Sequence, residues 1–225
     1  MTLNIPPIET FLFDLDGTLA DSHSPAQKAL SQTMKEVTGK VLSHADLERV
    51  NGLPSHECLA IFSGGQQMDV LTKVFSRNLE QCMVETLTLF PGTADLLEEL
   101  HHAGVQMAIV TSQNRSELLL TRRVLGLDRW INEWVTLEDV SKRKPDPEPV
   151  QKAVQRLNSS PASTLMIGDT EYDLYAGRGA GVRVGIAGWG AADLDSLLAL
   201  SPDFVFGDPA DVLELLEARC PNRCG

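Results

Sequence analysis

The chain has 225 residues, 43% hydrophobic and 22% charged, which is ordinary globular usage with enough apolar mass for a sizeable core, and excludes disorder as the main state. Asp plus Glu number 31 against 19 Lys plus Arg, a net charge of −12. That excludes the basic footprint of a nucleic-acid binder, so any anion site must be built locally from amides, lysines or a metal ion. No apolar run approaches the ~18 residues of a membrane span. Residues 1–7 lack the basic and apolar regions of a secretory signal, so a cytoplasmic protein without a membrane partner is expected.

Taken in chain order, residues 10–13 form a compact apolar run ending at Asp14, the first expected strand. Residues 20–89 show no convincing strand. Helical patterns cover roughly 25–38, 43–50, 54–62 and 68–87, punctuated by Gly39, Asn51-Gly52 and Gly64-Gly65. After Phe90-Pro91-Gly92 the pattern changes. A helix over 93–103 stops at Gly104, a strand over 105–110 ends at Thr111 and Ser112, and a helix over 116–125 ends at Gly126. A weaker apolar run follows at 134–137, and a proline-rich entry leads to a helix over 149–157. A strand at 165–167 ends at Gly168-Asp169, and a helix over 171–180 ends at Gly181. Strands at 182–186 and 204–206 and a helix over 211–218 complete the chain.

Short runs apolar on both sides suit parallel strands covered on both faces. Their alternation with helices predicts an α/β fold, a doubly wound Rossmann-like parallel sheet. Residues 20–88 read as an inserted all-helical cap, leaving a discontinuous core of residues 1–19 and 89–225. Gly17 and Gly92 lie near the two crossings, as hinge or tight-turn residues. Cys58, Cys82, Cys220 and Cys224 form no Cys-x-x-Cys pair and read as free thiols.

The strongest chemical signal is Asp14-Leu15-Asp16-Gly17-Thr18 directly after a strand. Ligands of open α/β sheets bind outside the carboxyl ends of the strands, where two carboxylates two residues apart converge on one small site. An Asx-type turn would use the same Asp-Gly pair. Three more signals fall at later strand ends: Thr111-Ser112, Lys144 within Lys142-Arg143-Lys144-Pro145, and Gly168-Asp169 through Asp173. Singly, Thr111 reads as a helix N-cap, Lys144 as a solvated loop cation, and Asp169 with Asp173 as acids at a helix N-terminus. Together they place carboxylates, a hydroxyl and an ammonium on one rim of the sheet.

With these four motifs in order, the cap position and Pro91-Gly92-Thr93, the chain resembles the haloacid dehalogenase superfamily. It is most similar to the phosphatase branch with a helical cap after the first motif, and Gly188-Trp189-Gly190 also looks like that branch. The resemblance implies a Mg²⁺-dependent phosphomonoester hydrolase with Asp14 as nucleophile and Asp16 as general acid and base. Phosphate would be held by Asp14, Leu15, Asp16, Thr111, Ser112 and Lys144. Mg²⁺ would be held by the Asp14 and Asp169 carboxylates and the Asp16 carbonyl, with Asp173 either a ligand through water or a support outside the ligand set. An acid two residues after the nucleophile favours phosphoryl transfer over dehalogenation. A sugar-phosphate mutase shares these core motifs, and a non-catalytic binding protein is the remaining alternative. The substrate would be a small phosphorylated metabolite chosen by the cap. There, Asn51-Gly52-Leu53-Pro54, His23, Ser24 and the cations Lys28, Lys35, Arg49, Lys73 and Arg77 are candidates, with Arg115 in the core. The sequence leaves the oligomeric state open.

Overall fold

A computed structural model describes residues 7–50, 53 and 55–217. The chain divides into two compact units, one running to Ala20 and resuming at Leu89, the other spanning Asp21–Thr88.

The first unit is built on β1 (Thr10–Phe13), whose four residues are all buried. Two short strands, β2 (Ala20–Asp21) and β3 (Thr88–Leu89), stand at the crossings, where the sequence pattern shows none. Two residues are too few for a period to register. The second unit consists of α1 (His23–Thr38), α2 (His44–Arg49), α3 (Ser55–Ser63) and α4 (Met68–Thr86). Helix α1 packs on α4 and α3 around a core including Leu30, Met34, Leu59, Leu71 and Phe75. Buried Asn78 donates to Thr33 Oγ1 at 3.1 Å. On the surface Lys28 pairs with Glu85 and Arg77 with Glu36.

From Leu89 the first unit resumes with α5 (Thr93–His102), β4 (Gln106–Val110), α6 (Arg115–Leu125), β5 (Glu133–Val135), α7 (Glu148–Arg156), β6 (Thr164–Gly168), α8 (Glu171–Gly179), β7 (Arg183–Ala187), α9 (Leu194–Ala199), β8 (Phe204–Phe206) and α10 (Glu214–Glu217). Six strands form one sheet in the order β5-β4-β1-β6-β7-β8, every pair parallel. This is the doubly wound α/β sheet expected. Leu12, Ala108, Val110 and Met166 face Val150, Ala153, Val154 and Ala176 of α7 and α8. The alternate positions Phe11, Phe13, Met107, Ile109, Leu165 and Ile167 turn to the other face by strand alternation and are equally buried.

Helix limits follow local chemistry. Asn114 and Glu117 form a reciprocal capping box that opens α6, and Gly126 closes it with φ +64°. Pro149 sits in the first turn of α7, where no N–H is missed. Two expectations shift. The run at 134–137 is strand only to Val135, because the Thr136–Asp139 capping box starts a 3₁₀ turn at Leu137. The last helical pattern begins as a 3₁₀ turn over Pro209–Leu213, set by Asp208 and Pro209. Helix α9, capped by Asp193, is too short to show a period. Met107 and Trp130 are core residues, but Trp134 is half-buried under the Arg122 guanidinium, 4.4 Å from its ring centre. Cys58 and Cys82 are buried free thiols. Residues 51, 52 and 54 of the expected cap loop, Cys220, Cys224 and the end of the 211–218 pattern lie outside the described residues. Among the described residues, no helix is long and apolar enough to cross a membrane.

Leu12 is fully buried at the centre of this layer. Leu12→Ala should cost about 2–5 kcal/mol of the first unit's stability, read as a lower urea midpoint by tryptophan fluorescence. A midpoint unchanged within error would contradict the packing.

Candidate active site

Strand order reverses at β1, which lies between β4 and β6. A ligand crevice opens at such a switch point, beyond the carboxyl ends of the strands. Phe13 is level with both Ile109 and Ile167, so Asp14, Thr111 and Asp169 leave the sheet on one edge. The Asp14 N–H donates to Ile167 O at 2.8 Å, carrying the ladder one residue past the strand and fixing the root of that side chain.

Lys144 reaches this edge from the loop after β5. Its Nζ donates to Asp14 Oδ1 at 2.7 Å, to Asp173 Oδ1 at 2.6 Å and to Val110 O at 3.0 Å. An ammonium has three N–H groups, so all three are engaged. Asp173 is the N3 residue of α8, and its Oδ2 accepts from Thr170 N–H and Oγ1 in a capping box. Both of its oxygens therefore have partners. Asp169 Oδ1 accepts from Thr18 Oγ1 at 2.9 Å. Asp14, Asp169 and Asp173 each present an oxygen within 4.8 Å of the others, and all three are buried.

The electrostatics follow from this crowding. Burial, with the charges of Asp173 and Asp169, pushes the Asp14 carboxyl well above its usual range, while Lys144 opposes the rise. Burial, then Asp173, pushes Asp169 up to about 7, against the Thr18 hydrogen bond. Burial disfavours the Lys144 charge, but Asp14 and Asp173 outweigh it and the ammonium pKa is raised. Three ionised carboxylates around one ammonium leave two negative charges in excess, and every donor is a hard oxygen. This set fits a small divalent cation such as Mg²⁺.

The backbone comes unusually close. A Cβ on Gly17, whose φ is +81°, would lie 2.2 Å from Asp169 Oδ2. On Gly168 it would lie 2.3 Å from the Asp173 side chain, and on Gly190 1.6 Å from Gly17 O. Gly17 is thus required by its positive φ and by its close approach to Asp169. Trp189 Nε1 donates to Thr18 O at 2.9 Å, so the Gly188-Trp189-Gly190 stretch braces the turn of the first motif.

Other expected residues are placed as follows. Thr111 is buried, and its Oγ1 accepts from Gln113 N–H at 3.0 Å. Asp16 accepts from Gln113 Nε2 on both oxygens, at 3.0 and 2.9 Å. The Leu15 side chain is buried and its carbonyl accepts from Leu19 and Ala20 N–H. Ser112 is exposed. Arg115 is an exposed residue paired with Asp139, a surface role. Ser24 donates to Asp21, and His23 lines a cavity of about 60 Å³ within the helical unit. Thr18, Gln113 and Thr170 escape sequence reasoning. Thr18 was signalled by its place in the first motif and Thr170 by its three-residue spacing to Asp173, whereas nothing local marks Gln113.

The chain matches the model of the haloacid dehalogenase-like hydrolase family over residues 11–187, and it belongs to that family as an enzyme of its phosphatase branch. Pyrophosphatase PpaX of Oceanobacillus iheyensis is 30% identical over 209 residues, which is 93% of this chain and 97% of that protein. A hydrolase from Pseudomonas syringae of known structure is 28% identical with a TM-score of 0.70, covering 93% of this chain and 98% of its own. A haloacid dehalogenase-like family hydrolase from Streptococcus pneumoniae, at 24% identity and a TM-score of 0.78 over 93% of this chain and 98% of its own, shares the fold.

The raised Asp169 pKa carries a sign. In the unfolded chain this carboxyl ionises near its usual ~3.9, whereas in the fold it resists ionisation until about 7. Without a divalent cation, Asp169 therefore costs stability increasingly as pH rises from about 4 through 7. In chelator, Asp169→Asn should gain thermal stability relative to wild type between pH 5 and pH 8. A melting-temperature difference constant across that range would contradict the charge crowding.

Proposed function

We propose that this chain is a Mg²⁺-dependent phosphohydrolase that works through an aspartyl-phosphate on Asp14. The observation that carries the reading is Asp14 at the switch point, held through one oxygen by a buried Lys144 and crowded by Asp169 and Asp173. Oδ1 is held by Lys144, so Oδ2 attacks phosphorus while the bond to the leaving oxygen breaks. Asp16 gives that oxygen its proton, then takes one from the water that attacks the aspartyl-phosphate, releasing phosphate and restoring Asp14. Thr111, with Leu15, Ser112 and the first-motif backbone, positions the phosphoryl oxygens. Lys144 has no N–H to spare, so it acts on phosphoryl charge as a fixed cation rather than as a hydrogen-bond donor. Mg²⁺, held by Asp14, Asp169 and the Asp16 carbonyl, would neutralise charge on the transferring group. Asp173 orients Lys144 from the side.

For substrate, we place inorganic pyrophosphate first among small phosphorylated compounds, on the support of the relatives named pyrophosphatase PpaX. In the helical unit Lys28, Arg77 and Arg49 have carboxylate partners, which makes them surface residues before they are readers of a charged leaving group. A cytoplasmic enzyme with small-molecule partners is the accompanying reading.

The test is phosphate release, with Mg²⁺, from pyrophosphate, aryl phosphate, phosphoglycolate and sugar phosphates. Wild type should turn over at least one, and Asp14→Asn should fall by at least about 10³-fold. No release from any, or full activity in Asp14→Asn, would overturn the reading. Isomerisation of a hexose phosphate in place of phosphate release would make the chain a mutase.

Metal binding is checked separately. At a hundredfold excess over Kd, Mg²⁺ should stabilise wild type by about 2.7 kcal/mol. Asp169→Asn should show little of that gain at the same concentration, and an equal gain would remove Asp169 from the metal site.

A further inference from the structure

We propose that Gln113 is a positioning residue that fixes the direction of the Asp16 carboxylate, and with it the acid step of the reaction. The inference rests on the phosphohydrolase reading, in which Asp16 delivers the leaving-group proton.

Gln113 sits in the loop between β4 and α6, and little of it reaches solvent. Its Nε2 lies 3.0 Å from Asp16 Oδ1 and 2.9 Å from Oδ2, so one nitrogen addresses both carboxylate oxygens. The amide cannot flip freely. Its Oε1 accepts from Thr121 Oγ1 at 3.2 Å, and Thr121 is fully buried on α6. A flipped amide would put a carbonyl oxygen against the carboxylate and leave the Thr121 hydroxyl without that acceptor, an unfavourable exchange in a buried site.

The backbone of Gln113 is held as well. Its N–H donates to Thr111 Oγ1 at 3.0 Å, and its carbonyl accepts from Leu137 N–H at 3.2 Å. A continuous set of hydrogen bonds therefore runs from α6 through Thr121 and Gln113 to Asp16, and through the Gln113 backbone to Thr111. The donor is neutral, so it aims the carboxylate without adding charge to a site already dominated by charge. Asp16 follows β1 in a turn and not in a regular element, so an external contact of this kind restricts where its carboxyl points. Proton delivery is sensitive to placement, and an error near 1 Å costs about 10²-fold.

The experiment compares kcat/KM for an alkyl phosphate and for an aryl phosphate with a good leaving group. This ratio reports steps up to leaving-group departure, where the alkyl ester needs the Asp16 proton and the aryl ester scarcely does. Gln113→Met keeps length and volume but removes the amide. It should lower kcat/KM for the alkyl ester by about 10²-fold and for the aryl ester far less. Thr121→Val removes only the hydroxyl that orients the amide, and should give a smaller loss with the same selectivity. It decides the matter if Gln113→Met does not fold. Equal losses on both esters, or no loss, in the folded variants would overturn the inference. Asp16→Asn separates the two levels. If its loss is selective for the alkyl ester while the Gln113 and Thr121 variants show no selectivity, only the role of Gln113 fails. If Asp16→Asn is itself unselective, the acid role of Asp16 in the proposed function fails, and the Gln113 assignment with it.

Discussion

Excess negative charge in a buried place governs this molecule. Asp14, Asp169 and Asp173 bring carboxylate oxygens within 4.8 Å of one another, and a single ammonium, that of Lys144, lies among them. Burying one unpaired carboxylate is costly, and burying three around one cation is costlier still. The raised pKa values of Asp14 and Asp169 are that cost expressed as a resistance to ionising. An arrangement of this kind is hard to explain as a device for stability. It is what a site needs if it is to hold a divalent cation and present a nucleophilic carboxylate to an anionic substrate.

The surrounding backbone is shaped to permit the crowding. Gly17, Gly168 and Gly190 stand where a Cβ would run into Asp169, Asp173 and the Gly17 carbonyl in turn. Hydroxyls of Thr18 and Thr170 take up carboxylate oxygens of Asp169 and Asp173, and the indole of Trp189 fastens the first-motif turn at Thr18 O. Asp169 and Asp173 thus each have a neutral partner that helps set their direction. Gln113 does the same for Asp16. Asp14, by contrast, is held by a charge, the Lys144 ammonium.

The helical unit is a different kind of object. It has its own apolar core, and several of its surface cations are taken up by carboxylates. Its half-buried His23 faces a small cavity among Leu30, Leu47 and Phe75. Among its described residues nothing matches the buried carboxylate cluster of the sheet edge.

Most of the fold was legible from pattern alone. Phe11 to Phe13, Met107 to Val110 and Leu165 to Ile167 are buried on both faces, so they appear as continuous apolar runs, and Gly104, Gly126 and Gly181 mark helix ends because left-handed backbone there favours glycine. The acids, the threonine and the lysine of the site were legible because each follows a strand end, a place that chain order specifies. Short elements such as β2, β3 and α9 were not, since a period needs more residues than they contain. What tertiary structure alone decided is partnership. That Lys144 spends all three protons on Asp14, Asp173 and Val110, or that Gln113 meets Asp16 across 97 positions of chain, depends on distances between segments far apart in sequence. Local propensity carries no information about such distances, because they are set only when the sheet closes and the loops pack against its edge.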